Sequence, residues 1–135
     1  MESFEIQTTF PVSAKVLYNA WLDSKTHSAM TGTQAEIDPS PEGVFRIFGG
    51  YITGKNVELV PGEKIVQRWR TSEFPVTSPD SVLKVIFEKM GKSTKIIIRH
   101  TKIPEGQAKD YRQGWKEYYF RPMKSFFGTS MSISG

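Results

Sequence analysis

The residues best suited to proton transfer near neutral pH are the chain's two histidines, His27 and His100. They fall in different predicted elements, and neither has a second ligand at the spacing that marks a metal site. The chain contains no cysteine, which excludes disulfides, thiolate ligands and a cysteine nucleophile. Neither a glycine-rich phosphate loop nor a nucleophile elbow occurs, and Gly49-Gly50 reads as a turn. General acid–base chemistry needs a tuned group within reach of a substrate, and no pair of side chains here has that pattern. His100, at the end of a strand beside Arg99 and Lys102, reads as solvated. The expectation is a non-enzyme, with no catalytic residue, no metal and no cofactor.

The remaining chemistry is charge and aromatic surface. The formal net charge is +4 over 135 residues. Its largest local excess sets Lys84, Lys89, Lys92, Lys95, Arg99 and Lys102 against Glu88 alone. A nucleic-acid binder concentrates its bases on one stripe, whereas the chain's bases as a whole are scattered among Glu and Asp, and this local excess reads as the outward positions of two paired strands. No nucleic-acid partner is expected. Trp69 and Arg70 must point to opposite faces of a strand. If Trp69 faces inward, Arg70 joins Arg68 on a basic exterior able to steer an acidic partner.

The closing stretch from Asp110 to Gly128, DYRQGWKEYYFRPMKSFFG, carries seven aromatic residues and reads as one helix. On a wheel of about 100° per residue, Ala108, Tyr111, Tyr118, Tyr119, Pro122 and Phe126 fall within roughly 60° of Trp115. That face is expected to lie on a sheet, with Pro122 bending the helix convex toward it. Phe120 and Phe127 fall about 120° to 140° away, among Lys109, Gln113 and Lys124. There they either anchor a partner or tuck under a neighbouring element.

These side chains must be positioned by the elements upstream. FEIQTTF alternates with the period of a half-buried strand, and Pro11 ends it. VSAKVLYNAWLD reads as a helix capped by Ser13, with Val12 and Leu17 as a staple, and Ser24 opens a second turn closed at Gly32. GVFRIF, YITGKNVELV, KIVQRWRT, SVLKVIFEKM and STKIIIRHT read as strands separated by turn residues. The fold class is α+β, an antiparallel sheet between a short helical pair and a long C-terminal helix. One domain over residues 1–135 is expected. No run reaches the roughly 18 apolar residues of a membrane span, and the N-terminus lacks the pattern of a signal peptide, so a cytoplasmic monomer without a membrane partner is expected.

RQGWKEYYFRPMKSFFG, with GGYITGKNVELVPGEKIVQRWR upstream, closely resembles the C-terminal domain of the activator of heat-shock protein 90 ATPase, a family of the START-like superfamily with the helix-grip fold. The resemblance runs over essentially the whole chain. Its most specific pieces are Arg112-Gln113-Gly114-Trp115 followed by Tyr118-Tyr119-Phe120, and the pattern GxxxELVPxxKIVxxWR ending at Trp69 and Arg70. It implies a curved antiparallel sheet gripping the C-terminal helix, and the chaperone heat-shock protein 90 as partner. Full-length eukaryotic members carry a preceding domain that this chain, starting at Met1, is expected to lack, so the resemblance implies modest ATPase stimulation. Phe120, Phe127, Arg70, Lys84 and Lys95 are the candidate partner-binding residues. Helix-grip domains also hold small apolar ligands between sheet and helix, which makes Phe48, Tyr51, Trp69, Phe87, Tyr111, Trp115 and Tyr118 candidate cavity-lining residues. Large side chains that simply fill this space are the competing expectation.

Overall fold

A computed structural model of the chain describes residues 1–128. The alternating segments form strands β1 (Glu2–Phe10), β2 (Ala35–Ile37), β3 (Val44–Ile47), β4 (Ile52–Val60), β5 (Lys64–Thr71), β6 (Ser81–Met90) and β7 (Ser93–Ile103). All are antiparallel in one sheet of order β1-β7-β6-β5-β4-β3-β2. The first strand lies on the edge of the sheet beside the last.

Register follows from the period of two. Ile6, Ile98, Val85 and Ile65 stand opposite one another across β1, β7, β6 and β5, and all are buried. One residue along, Glu5, Arg99 and Lys84 form the corresponding outward row. A slip by one residue would exchange these rows, so burial of one face fixes the pairing. A bulge in β4 between Asn56 and Glu58 breaks the alternation. It buries Asn56, whose Nδ2 donates to the carbonyls of Asp38 and Ser40 while its Oδ1 accepts from Gln67.

Helices α1 (Ala14–Leu22) and α2 (Ser24–Thr31) follow β1. Ser13 caps α1 by accepting from the Val16 amide, as its type and position predict. The cap of α2 is Asp23, which accepts from the Thr26 amide; Ser24 instead ties α2 to β2 through Ile37. Gly32 ends α2 with φ of 74°, a left-handed position that glycine occupies at little cost.

The C-terminal helix is not uniform. It runs as α3 (Ala108–Gly114), a π-helical turn (Trp115–Phe120) and α4 (Arg121–Phe127). Within the turn the Arg121 amide donates to the Lys116 carbonyl, five residues back. The widening precedes Pro122, which has no amide to donate to Tyr118 and whose ring would collide with that carbonyl in a regular helix. One inserted residue sets every later side chain back by about 100° on the wheel. Phe120 and Met123 therefore turn into the core, and Phe127 packs against it half-buried. Phe126 turns out instead, to 48 % exposure. Among the described residues no helix is long and apolar enough to cross a membrane.

Candidate ligand cavity and partner surface

A cavity of about 240 Å³ lies where the helix crosses the β2–β5 end of the sheet. Its floor is Ile52 of β4 and Trp69 of β5; its roof is Tyr111, Gly114, Trp115 and Tyr119. Phe48, Tyr51, Asp110 and Tyr118 complete the lining. Each wall follows from local structure. Trp69 points inward because β5 alternates. Tyr111 and Trp115 are one helical turn apart, and Tyr118 is brought round by the π turn to the rim, where it is 60 % exposed. Phe48 sits on the tight turn after β3 with φ of 58°, a left-handed conformation that costs a bulky residue roughly 1 kcal/mol or more. Its ring meets Tyr118 edge to face at 5.9 Å, so the strained turn holds one lip of the cavity against the helix. A methyl added at Gly114 would meet only the Tyr118 ring, at 3.8 Å, so the space beside this glycine belongs to the cavity and not to a tight helix–sheet contact.

Behind the walls run two buried polar chains. Ser81 Oγ donates to the Trp69 carbonyl and so accepts from Nε2–H of His100 at 2.8 Å. Nδ1 of His100 accepts from Trp115 Nε1 at 3.2 Å. His27 has the other tautomer: its Nδ1–H donates to the Trp21 carbonyl, and its Nε2 accepts from the Tyr119 hydroxyl. With both nitrogens used in the neutral form, burial pushes His27 down to about 4 and His100 down to about 3. At the rim the Glu73 amide donates to Thr71 Oγ1, Thr71 bonds the Tyr111 hydroxyl, and that hydroxyl donates to Gln107. The Tyr51 hydroxyl donates to the Glu73 carboxylate. Burial, with the Glu73 bond, drives the Tyr51 phenol upward. Trp69 Nε1 is buried without an acceptor among the described residues.

The structure brings together Phe48, Tyr51, Trp69, Tyr111, Trp115 and Tyr118 around this space. Phe87 lies elsewhere: it faces inward as its strand predicts, but under α1, with its ring 5.8 Å from Tyr18. Tyr118 is a rim residue and not part of the closed core. Phe120 is not a surface anchor. It is 8 % exposed and packs edge to face on Phe10 at 6.4 Å. Phe127 meets the same ring at 6.2 Å. Arg70 is on the outer face but engaged, pairing with Asp80 at 2.8 Å and donating to the carbonyls of Ser78 and Pro75. Lys95 pairs with Glu88 at 3.7 Å, while Lys84 is exposed and makes no ion pair among the described residues. His100 is fully buried, not solvated. The alternation that puts Ile96 and Ile98 inside places His100 on the same face, and that signal outweighs its charged neighbours.

The antiparallel sheet, the helix laid across it and the aromatic cavity between them define a START-like helix-grip domain. The family described as Activator of Hsp90 ATPase homolog 1-like protein matches residues 11–128, and the chain belongs to that family. It is 28% identical over 123 residues to the human Activator of 90 kDa heat shock protein ATPase homolog 1, covering 91% of this chain and 36% of that protein. An uncharacterized protein of Schizosaccharomyces pombe is 31% identical over 120 residues, covering 89% of this chain and 35% of its own length. The chain thus spans little more than a third of these curated relatives. The crystal structure of an HSP90 activator from Plasmodium falciparum matches with a TM-score of 0.88 at 28% identity, covering 95% of this chain and 97% of that one. CalU16 from Micromonospora echinospora shares the fold alone, with a TM-score of 0.79 at 17% identity over 96% of this chain and 78% of the other.

Proposed function

We propose that this chain is a co-chaperone-type module that binds heat-shock protein 90 and modestly stimulates its ATPase. The observation that carries this reading is the match to the Plasmodium falciparum HSP90 activator, which runs over nearly the full length of both chains. On this reading the chain works in the cytoplasm, beside the chaperone. Its contact is through the outer sheet face, where Lys84 and Arg68 stand exposed and can meet an acidic surface. Arg70 and Lys95, already paired with Asp80 and Glu88, contribute less. The test is calorimetric titration of purified chain into heat-shock protein 90, with ATP turnover measured in parallel. Saturable binding that weakens as salt rises is expected, with turnover raised a few-fold at saturation. Absence of binding at low salt removes the reading.

The cavity favours a second reading, a binding site for one small ligand between sheet and helix. Its volume of about 240 Å³ lies just below the range of roughly 300–1,000 Å³ that drug-sized ligands occupy, and its walls are mostly apolar. The two readings are compatible, because the cavity opens at the Tyr51–Tyr118 rim and the basic surface is on the opposite face of the sheet.

A further inference from the structure

We propose that the cavity selects a small organic cation, an amine or quaternary ammonium with a short chain, over neutral molecules of the same shape. This deepens the ligand reading above and rests on it. The first observation is the composition of the walls: apart from Ile52, Gly114 and Asp110, every lining residue is aromatic. Aromatic faces carry negative potential and attract a cation held within about 6 Å of the ring centre, most strongly when water is excluded. Trp69 and Trp115 have their ring centres 6.0 Å apart at an interplanar angle of 37°, so the two indoles make adjoining parts of the cavity wall.

The second observation is the sign of the charge. The chain as a whole carries +4, yet the one charged residue lining the cavity is the carboxylate Asp110, and no lysine or arginine lines it. Among the described residues Asp110 makes no ion pair, and neither does Glu73, whose carboxylate accepts from Tyr51 at the rim. An apolar guest would need neither carboxylate, and an anionic guest would be repelled by both. A cation gains from the rings and from Asp110 together.

The test uses the intact chain and two probes of near-identical shape, choline and its neutral isostere 3,3-dimethylbutan-1-ol. Binding is followed by the fluorescence of the cavity tryptophans and by the upfield shift that ring currents impose on the probe's methyl protons. Choline is expected to bind about fivefold or more tightly than the alcohol. Asp110→Asn is expected to weaken choline about threefold and leave the alcohol unchanged; as an exposed residue its replacement spares the fold. Equal binding of both probes overturns the cation preference while leaving a ligand cavity. Binding of neither probe overturns the preference and the ligand reading together. Chaperone binding is scored by its own titration and is untouched by either result.

Discussion

The hydroxyl of Tyr119 donates to Nε2 of His27 across 2.7 Å, joining the π turn of the C-terminal helix to α2. Both residues are buried, and the Tyr119 ring also stacks on Trp21 at 5.2 Å. The bond therefore fixes the roof of the cavity to the helical pair that covers the rest of the core. Tyr119→Phe keeps the ring and its stacking but leaves His27 Nε2 a buried acceptor without a donor. We expect a loss of about 1–3 kcal/mol in urea unfolding. A variant as stable as the parent would mean that the bond contributes nothing net.

Acid should unfold this protein through its two histidines before its carboxylates. Both have folded values below the ordinary 6.5, at about 4 for His27 and about 3 for His100, because burial penalises the charged ring. A depressed histidine makes the unfolded state the better proton acceptor. Its stabilising share is fully present above pH 6.5 and is lost as pH falls from there toward the folded value. Each histidine should remove about 1.4 kcal/mol per pH unit within that window. Melting temperatures between pH 7 and pH 5 check this. A flat profile there would show that both rings stay uncharged in the unfolded chain or are already charged in the folded one.

The sheet is legible in the sequence because alternation and turn residues carry it. FEIQTTF, SVLKVIFEKM and STKIIIRHT give one face to the core, and inward placement of Trp69, Leu83, Val85, Phe87, Tyr111 and Trp115 follows from period alone. After Trp115 only Tyr119 keeps the buried place the wheel gives it, since a wheel assumes a constant step. The π turn inserts one residue, so Phe120 and Met123 replace Tyr118 and Phe126 on the buried side. Phe87 shows a different limit: alternation tells which face a side chain takes, but not which helix covers it. Phe74, in the irregular loop between β5 and β6, packs on Trp69 and Tyr111 with no periodic signal to announce it.

The shifted register separates two phenylalanines that look alike in sequence. Phe120→Ala should cost about 3–5 kcal/mol, because it opens a cavity beside Phe10. Phe126→Ala, at a half-open position, should cost about 1 kcal/mol or less. Chemical denaturation of the two variants side by side decides between the registers. The opposite ranking would restore a regular helix through Pro122.

Gly54 explains the glycine that opens the GxxxELVP pattern. A side-chain carbon at this position would stand 1.9 Å from the Arg68 carbonyl oxygen and 2.6 Å from the Phe45 ring. Gly54 is paired with Trp69 on β5, so neither the backbone oxygen nor the buried ring can withdraw without opening the cavity floor. Gly54→Ala should destabilise by about 3 kcal/mol, at the upper end of what overpacking costs. Unfolding midpoints would show it, and a neutral substitution would mean that β4 can slide away from β5.

Two lysines on the outer face offer a test of how the proposed chaperone contact is steered. Lys84 is exposed and unpaired among the described residues, with Arg99 beside it in the register, whereas Lys95 already faces Glu88 at 3.7 Å. A free rim charge acts chiefly on the association rate, and a charge already neutralised by a neighbour presents less field to a partner. Lys84→Glu should therefore slow association with heat-shock protein 90 by about threefold at low salt and flatten its salt dependence. Lys95→Glu should act in the same direction but less strongly, and neither should move the melting temperature by more than a degree or two, since both side chains lie outside the core. Stopped-flow association at two salt concentrations, with thermal melts as control, measures all of this. If Lys84→Glu associates as fast as the parent at every salt concentration, the outer sheet face is not where the chaperone meets this chain.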